Sequence, residues 1–215
     1  SRYTELRREI TGMNVVDIAQ LFEDLDKQKV LIIFRILPKD IASGVFSYLS
    51  NELQRYIVES ISDKEIRIIM DQLFLDDTID FLEEMPSNIV KKVLKNADEE
   101  TRKLINQFLK YPEDSAGSIM TIEYVDLKKE MTINQALKHI KETAIDKETM
   151  DNCYVIDNYR VLEGVISLRK LILSDESISV KEIMDTEVKY VNTYDDQEKI
   201  VSLFKKYDLL SMPVV

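Results

Sequence analysis

The segment YPEDSAGSIMT, residues 111–121, separates two halves of the chain that have different sequence patterns. Before it, apolar residues recur at helical spacing, and after it, short apolar runs alternate with amphipathic stretches. Pro112 is incompatible with a helix interior, so we expect it to lie beyond the last helix of the first half. Gly117 is expected to permit a turn. The segment therefore predicts a junction between two domains.

The first half contains a repeat of twelve residues. Every twelfth residue from Leu25 to Leu109 is apolar, and another apolar residue follows eight places after each of the first seven. Short helices cannot bury enough surface alone, so they must stack on one another. Residues 1–110 are therefore predicted to form an α-helical superhelix. The residues expected to start its helices are Asp26, Pro38, Ser50, Ser62, Pro86 and Asp98.

The second half alternates segments typical of strands with segments typical of helices. Thr132 is the expected N-cap of the first amphipathic helix. The order of elements then begins again, so two α/β units with one plan are expected. The segments after that first helix are strands at 152–157 and 161–168, a helix at 168–173, a strand at 188–191, a helix at 196–207 and a strand at 212–215.

These two units resemble a tandem pair of CBS domains. The resemblance is carried by GVISL at residues 164–168 and by IMD at residues 183–185. The second copy has no counterpart of the 164–168 strand, so we expect it to be incomplete. The predicted fold is thus a multidomain one, an α-helical domain followed by α/β CBS units. Their expected boundaries are 1–110, a junction at 111–121, a first CBS domain at 122–178 and a second at 179–215.

Composition restricts the classes of function. The 215 residues carry 29 basic and 40 acidic side chains, a net charge of −11, which disfavours nucleic acid as a partner because phosphates require a basic surface. The single cysteine, Cys153, cannot form an internal disulfide, as is usual for the cytoplasm. No nucleophile with a histidine partner and no glycine-rich phosphate loop is recognisable in the sequence. We therefore expect a protein that is not an enzyme.

The order of helical domain, junction and CBS pair is similar to the cytosolic half of MgtE-type magnesium transporters. The junction residues that carry this resemblance are Tyr111, Pro112, Glu113, Ala116, Gly117, Met120 and Thr121. The resemblance implies a Mg²⁺-responsive regulatory region at the cytoplasmic face of the cell membrane. It also implies a homodimer through the CBS domains. A membrane-spanning domain of the same polypeptide, absent from these residues, would be the other partner.

Mg²⁺ prefers oxygen ligands and is usually held by one or two carboxylates and several waters. Asp76, Asp80 and Glu83 lie at helical positions i, i+4 and i+7, and no basic residue lies between Asp71 and Lys91. Asp76, Asp77 and Asp80 are therefore candidate metal ligands, and the alternative is a solvated acidic face. By similarity to the family, Asp77 is the acid expected to face the CBS pair.

Three further acids match positions that contribute to ion sites in the family. Asp196 and Glu198 begin a helix, where the alternative role is to stabilise the helix dipole. Asp208 ends the same helix, where a carboxylate is electrostatically disfavoured. That cost makes Asp208 the sharper metal candidate of the three.

Paired CBS domains often bind adenosine nucleotides through a Ser or Thr and an acid three residues later. The matching positions are Ser167 and Lys170, so a lysine replaces the ribose-binding acid. Arg169 and Lys170 can nevertheless meet phosphates. ATP is thus a second candidate ligand, alone or together with Mg²⁺. The alternative function is a CBS adaptor that senses adenosine nucleotides without sensing ions.

Overall fold

The computed structural model describes residues 2–215, without the side chains of Arg2, Tyr3 and Asp146. The chain divides into two compact units. Unit 1 ends at Leu109, and unit 2 spans Lys110–Val215. This division lies next to the predicted junction.

The described part of unit 1 is a series of helices of eight to ten residues. Their bounds are α1 (Arg2–Thr11), α2 (Val15–Glu23), α3 (Lys27–Ile36), α4 (Lys39–Ser47), α5 (Asn51–Ser60), α6 (Asp63–Met70), α7 (Leu75–Glu83), α8 (Ser87–Asn96) and α9 (Glu99–Phe108). The series confirms the predicted string of short helices.

The helices of unit 1 begin at regular intervals because their N-caps recur along the repeat. From α3 to α9 the N-caps are Asp26, Pro38, Ser50, Ser62, Phe74, Pro86 and Asp98, one every twelve residues. All six predicted helix starts are therefore confirmed. The side chains of Ser50, Ser62 and Asp98 each accept a hydrogen bond from the backbone three residues on. Each satisfies one N–H that would otherwise lack a partner at the helix start.

Neighbouring repeats stack, since helices two places apart along the chain contact each other, as α2 contacts α4 and α6 contacts α8. Phe46 is fully buried and lies edge-on to Phe81, with ring centroids 5.2 Å apart. Burial of such side chains contributes about 1.5–3 kcal/mol each. Stacking therefore supplies the stability that a single short helix lacks.

Unit 2 mixes short helices with three strands. Its elements are α10 (Ala116–Ile119), β1 (Tyr124–Leu127), α11 (Ile133–Thr143), a 3₁₀ turn at Ala144–Asp146, β2 (Thr149–Ile156), β3 (Leu162–Ser167), α12 (Leu168–Leu173), α13 (Val180–Ile183) and α14 (Gln197–Tyr207). Thr132 caps α11 as predicted. The predicted strands at 152–157 and 161–168 correspond to β2 and β3.

The strands form one sheet in the order β1-β2-β3, with β1 parallel to β2 and β2 antiparallel to β3. Val125, Cys153 and Ile166 from the three strands share a core with helix α11. Burial raises the pKa of the Cys153 thiol to about 12, so this cysteine stays protonated inside the core. A second, smaller core gathers Val191 and Ile200.

Two local predictions were wrong in detail. The strands expected at 188–191 and 212–215 meet in a single parallel bridge between Val191 and Val214. Pro213 lacks the N–H that a longer ladder needs. Gly117 does not supply the turn, because the residue with a positive φ is Asp114, at 63°. Gly117 is required for space instead, since a Cβ there would lie 2.6 Å from the Tyr111 ring.

Among the described residues, the helices all fall short of the length and apolar character that crossing a bilayer requires.

Candidate functional site

The acids predicted to bind metal in unit 1 lie on helix α7. Asp76 and Asp77 belong to its first turn, where a carboxylate stabilises the helix dipole. Asp77 Oδ2 accepts a hydrogen bond of 3.1 Å from the Ser47 hydroxyl on α4. Partial burial raises the pKa of the Asp80 carboxyl, although the residue as a whole stays exposed. The charge on Asp80 is therefore held at a cost to the folded chain.

The acids at the start of α14 have structural roles. Asp196 is the N-cap, and its Oδ1 accepts a hydrogen bond of 2.8 Å from the Glu198 backbone. Glu198 lies in the first turn and is exposed. The dipole of α14 thus accounts for both positions without a metal, and their predicted role as ligands stays a prediction.

Asp208 is placed differently from the other acids. It follows the last turn of α14 in the left-handed conformation, with φ 50° and ψ 49°, and it is exposed. A left-handed residue is common directly after a helix, and aspartate adopts this conformation more readily than most residues with a Cβ. The carboxylate also faces the negative end of the helix dipole. The unfavourable interaction with the helix dipole is the feature that keeps Asp208 a metal candidate.

The predicted acids do not converge within the part of the chain that the structure describes. Over these residues, no group of three or more His, Cys, Asp or Glu side chains is arranged to hold a metal ion. Asp76, Asp77 and Asp80 share one helix of unit 1, and Asp196, Glu198 and Asp208 occupy the two ends of one helix of unit 2.

The residues predicted to bind nucleotide lie at the start of α12. Ser167 is the N-cap, and its hydroxyl accepts a hydrogen bond of 3.2 Å from the Lys170 backbone. Arg169 and Lys170 are exposed. None of the three lines the large cavity of unit 2. Their predicted contact with phosphate stays a prediction.

That cavity has a volume of about 910 Å³, within the range of ligand pockets. Its apolar wall includes Ile119, Ile156, Phe204 and Leu210. The lining also includes Pro213, Val214 and Val215, the last residues of the sequence.

Aromatic and polar side chains line another part of the cavity. Tyr124 and Tyr154 lie edge to face with ring centroids 5.6 Å apart. The Tyr154 hydroxyl lies 2.9 Å from Ser211 Oγ, and Arg160 donates a hydrogen bond of 2.8 Å to the Tyr124 hydroxyl. Sequence reasoning missed Tyr124 and Arg160. The sequence offered one indication of Arg160, namely its position in the short turn between the predicted strands at 152–157 and 161–168.

The junction packs on the segment that begins α14. The backbone N–H groups of Ala116 and Gly117 donate to Asp195 O at 2.8 Å and to Thr193 O at 2.7 Å. The Gln197 amide donates to Asp114 Oδ1 at 3.0 Å. The residues that precede β1 are thus held by the second α/β repeat, and helix α10 also contributes to the cavity wall.

The helical repeat of unit 1 and the α/β sheet of unit 2, with its ligand-sized cavity, define a CBS-domain protein with a helical N-terminal region. Residues 13–114 match the model of the MgtE intracellular N domain, and residues 116–176 match the model of the CBS domain. The chain belongs to the MgtE family of magnesium transporters and corresponds to the cytosolic domain of that family. The resemblance inferred from the sequence is confirmed.

Two curated relatives are magnesium transporters named MgtE. The protein from Thermus thermophilus is 34% identical over 213 residues, and the alignment covers 98% of this chain and 47% of the relative. The protein from Bacillus subtilis is 28% identical over 211 residues, with 98% and 47% covered. The chain therefore spans about half the length of the curated relatives it matches.

Two solved structures share the fold along nearly the whole chain. The cytosolic domain of the Mg²⁺ channel MgtE in complex with ATP superposes with a TM-score of 0.91 at 34% identity, covering 98% of this chain and 86% of that one. The soluble part of a magnesium transporter gives a TM-score of 0.92 at 26% identity, covering 100% and 84%.

Proposed function

We propose that the chain is the Mg²⁺-sensing regulatory region of a magnesium transporter. Mg²⁺ binds between carboxylates of the helical unit and carboxylates of the CBS unit, and it favours a compact arrangement that corresponds to the closed transporter. The role is regulatory and not catalytic. Family membership supports transport as the process that is regulated.

One observation carries the proposal, namely the acid-rich helix α7 with its energetically costly carboxylate. Asp76, Asp77 and Asp80 lie within two turns of that helix, and burial raises the pKa of Asp80 because the ionised form is disfavoured. A nearby divalent cation would reverse that cost. On the CBS side, Asp208 holds a second carboxylate at the unfavourable end of the α14 dipole.

The mechanism follows from the coordination chemistry of Mg²⁺. The ion keeps several waters and needs only one or two carboxylates, so acids from two units suffice. Without the ion these acids repel each other, and with it the repulsion becomes attraction. Mg²⁺ then shifts the population toward the compact state by its preference for that state.

The proposed partners follow from family membership. We propose that the full polypeptide continues into a membrane-spanning domain and that this region lies at the cytoplasmic face. We also propose a homodimer through the CBS unit. Ile172 and Leu173 on α12 are 62% and 74% exposed, and burying them against a second copy would remove apolar surface from water.

Mg²⁺ titration of single-site variants tests the sensing proposal. We expect Asp77→Asn and Asp208→Asn each to raise the Mg²⁺ midpoint of the thermal shift roughly tenfold, the loss of one charged contact. Asp208→Asn should not lower the ion-free melting temperature, and Asp77→Asn should lower it no more than the control Asp40→Asn does, because Asp77 and Asp40 both lie in the first turn of a helix. Asp40→Asn is the matched control, since Asp40 occupies the first turn of α4 and no metal role is proposed for it. A loss of ion-free stability in Asp77→Asn that clearly exceeds the loss in Asp40→Asn would assign Asp77 a structural role.

The cavity of unit 2 supports a second function, binding of an adenosine nucleotide. Its volume and aromatic lining suit a nucleobase, and a relative of 34% identity was crystallised with ATP. We propose that ATP binds there and acts together with Mg²⁺. Tyr154→Ala should weaken ATP binding in calorimetry, and binding unchanged by this substitution would place the nucleotide elsewhere. If ATP altered the conformation and Mg²⁺ did not, the chain would be a nucleotide sensor only.

A further inference from the structure

We propose that residues 111–118 form a strap, held closed by the Tyr111 ring, that fixes the start of α14 and that Mg²⁺ bound at Asp196 stabilises in its closed position. The inference rests on the proposed Mg²⁺ sensing, for which Asp196 is a predicted ligand, and adds to it a conformational device that responds to the ion. Unit 1 ends at Leu109, so the whole strap belongs to unit 2. Sequence reasoning had placed these residues between the helical domain and the first CBS domain.

The backbone of the strap pairs with the residues on either side of Asp196. On one side, Asp195 O accepts a hydrogen bond of 2.8 Å from the Ala116 backbone. On the other side, the Gln197 backbone donates one of 2.8 Å to Asp114 O. Between these two bonds, the strap forms an antiparallel bridge with Asp196 itself. The closed strap therefore determines where the Asp196 carboxylate is held.

The strap is buried where it makes these contacts. Ser115, Ala116 and Ser118 are all buried, and Ala116 packs in the smaller core with Val191 and Ile200. Opening the strap exposes apolar surface to water and breaks several hydrogen bonds at once. We therefore expect the strap to open as one cooperative segment and not to fray residue by residue.

The Tyr111 ring lies across the strap and reaches the segment before α14. A Cβ at Gly117 would lie 2.6 Å from Cγ of this ring, so the ring packs directly on the glycine backbone. The same ring meets Tyr194 edge to face, with centroids 5.8 Å apart. The Gly117 backbone donates a hydrogen bond of 2.7 Å to Thr193 O. A methyl group at residue 117 would displace the ring or the strap, because close-packed atoms leave it no space.

Strap closure and Mg²⁺ binding are linked through Asp196. Its neighbour Asp195 already has partners, since it forms a salt bridge of 2.8 Å with Lys199 and accepts a hydrogen bond from the Asn192 backbone. Asp196 is the acid that the closed strap positions for the ion. An ion that binds the closed form better than the open form stabilises closure by the same factor.

Hydrogen exchange of single backbone amides, followed by NMR, tests the strap in the ion-free chain. We expect Gly117→Ala to accelerate exchange at Ala116 and Gln197 at least about tenfold, because overpacking weakens the closed form. Tyr111→Ala adds no atom and should also accelerate both amides. In the Tyr111→Ala background, Gly117→Ala should cause no further acceleration, because the ring that obstructs the methyl group is gone.

The same amides report the link to the ion. At ten times its midpoint concentration, Mg²⁺ should slow exchange at Ala116 and Gln197 roughly tenfold in the parent chain, the effect of a ligand that binds only the closed form. Asp196→Asn should remove this slowing. Asparagine is as good an N-cap as aspartate, so this variant keeps the start of α14 and loses only the charge.

Gly164→Ala is the matched control, because a Cβ there would lie 2.8 Å from Asp185 O, also within unit 2. It should accelerate exchange at Val165, whose backbone donates to Asp185 O at 2.9 Å. Exchange at Ala116 and Gln197 should stay unchanged, since opening the strap does not relieve the clash at residue 164.

Four results would overturn the inference. In the first, Gly164→Ala accelerates the strap amides as much as Gly117→Ala does, so unit 2 opens as a whole. In the second, acceleration by Gly117→Ala persists in the Tyr111→Ala background, so the ring does not hold the strap. In the third, Mg²⁺ raises the melting temperature but leaves the strap amides unchanged, which would leave the sensing proposal standing. In the fourth, the parent chain responds to Mg²⁺ in neither measurement, which would refute the sensing proposal as well.

Discussion

Helices α6 and α7 are consecutive repeats of unit 1 that use their acids in opposite ways. On α6, Asp63 pairs with Lys95 at 3.3 Å, and Glu65 pairs with Arg35 at 3.2 Å while closing a capping box with Ser62. On α7, the N-cap Phe74 offers no side-chain cap, and burial raises the pKa of Asp80. The comparison indicates that Asp63 and Glu65 of α6 stabilise the fold, whereas Asp80 of α7 is ionised at a cost to the folded chain.

The largest loss of stability is expected from replacing a buried isoleucine, and it should be equal in the two helices. Ile66 on α6 and Ile79 on α7 are both fully buried. Replacing either with alanine should lower the free energy of unfolding by about 2–5 kcal/mol, because each substitution leaves a cavity. Urea denaturation measures this loss. A much smaller loss for Ile79→Ala would mean that α7 packs loosely, and the comparison would then not concern the acids alone.

Glu65→Ala should cause the next largest loss of stability. The Ser62 backbone donates a hydrogen bond of 2.8 Å to Glu65, and this bond holds the pKa of the carboxyl below its usual value. The lowered pKa means that the stabilisation is present above the unfolded pKa and is lost as pH falls through the folded pKa. We expect a loss of about 1 kcal/mol at pH 7, which disappears at low pH. Chemical denaturation at both pH values measures it, and a loss independent of pH would contradict the account.

Asp208→Gly extends to unit 2 the comparison between acids that stabilise the fold and acids that cost stability. Removal of the carboxylate from the negative end of the helix dipole, together with a backbone that glycine adopts freely, should raise the free energy of unfolding of the ion-free chain by a few tenths of a kcal/mol. The same substitution should abolish the contribution of Asp208 to the Mg²⁺ response. Asp208→Asn separates the two effects, since asparagine tolerates this conformation and has no charge. Thermal unfolding with and without Mg²⁺ is the measurement, and a destabilised glycine variant would refute this expectation.

Asp80→Asn should cause the smallest change in the free energy of unfolding. It should stabilise the chain, whereas Glu65→Ala should destabilise it. Burial raises the pKa of Asp80, so the folded chain binds this proton more tightly than the unfolded chain, and stability is gained as pH falls through the folded pKa. At pH 7 the substitution should stabilise the ion-free chain by a few tenths of a kcal/mol, since the side chain is largely exposed. Thermal unfolding in the absence of Mg²⁺ checks the sign. A loss of stability would place Asp80 with the structural acids of α6.

The regular repeat explains why the fold of unit 1 was predictable. Apolar anchors and capping residues at fixed intervals determine both the helix starts and the buried face, as at Ser50 and Ser62. Phe74 is an N-cap that no capping propensity predicts, and it was missed for that reason. The three-stranded sheet was foreseen only in part, since β1 is short and pairs with a strand distant in sequence.

The candidate sites were less predictable, because each depends on contacts that a sequence does not display. The role of Gly117 is set by the Tyr111 ring, and the placement of Arg160 by a backbone conformation uncommon for arginine. The acids of α7 and α14 were identified by spacing and by family resemblance. Their function as Mg²⁺ ligands stays a prediction.

Small-angle X-ray scattering across a millimolar Mg²⁺ series, at constant ionic strength, tests the central claim most directly. The account predicts that Mg²⁺ lowers the radius of gyration, that Na⁺ at equal ionic strength does not, and that the Asp77→Asn, Asp208→Asn double variant needs more Mg²⁺ for the same change. A radius of gyration that is independent of Mg²⁺, or that Na⁺ lowers equally, would contradict it.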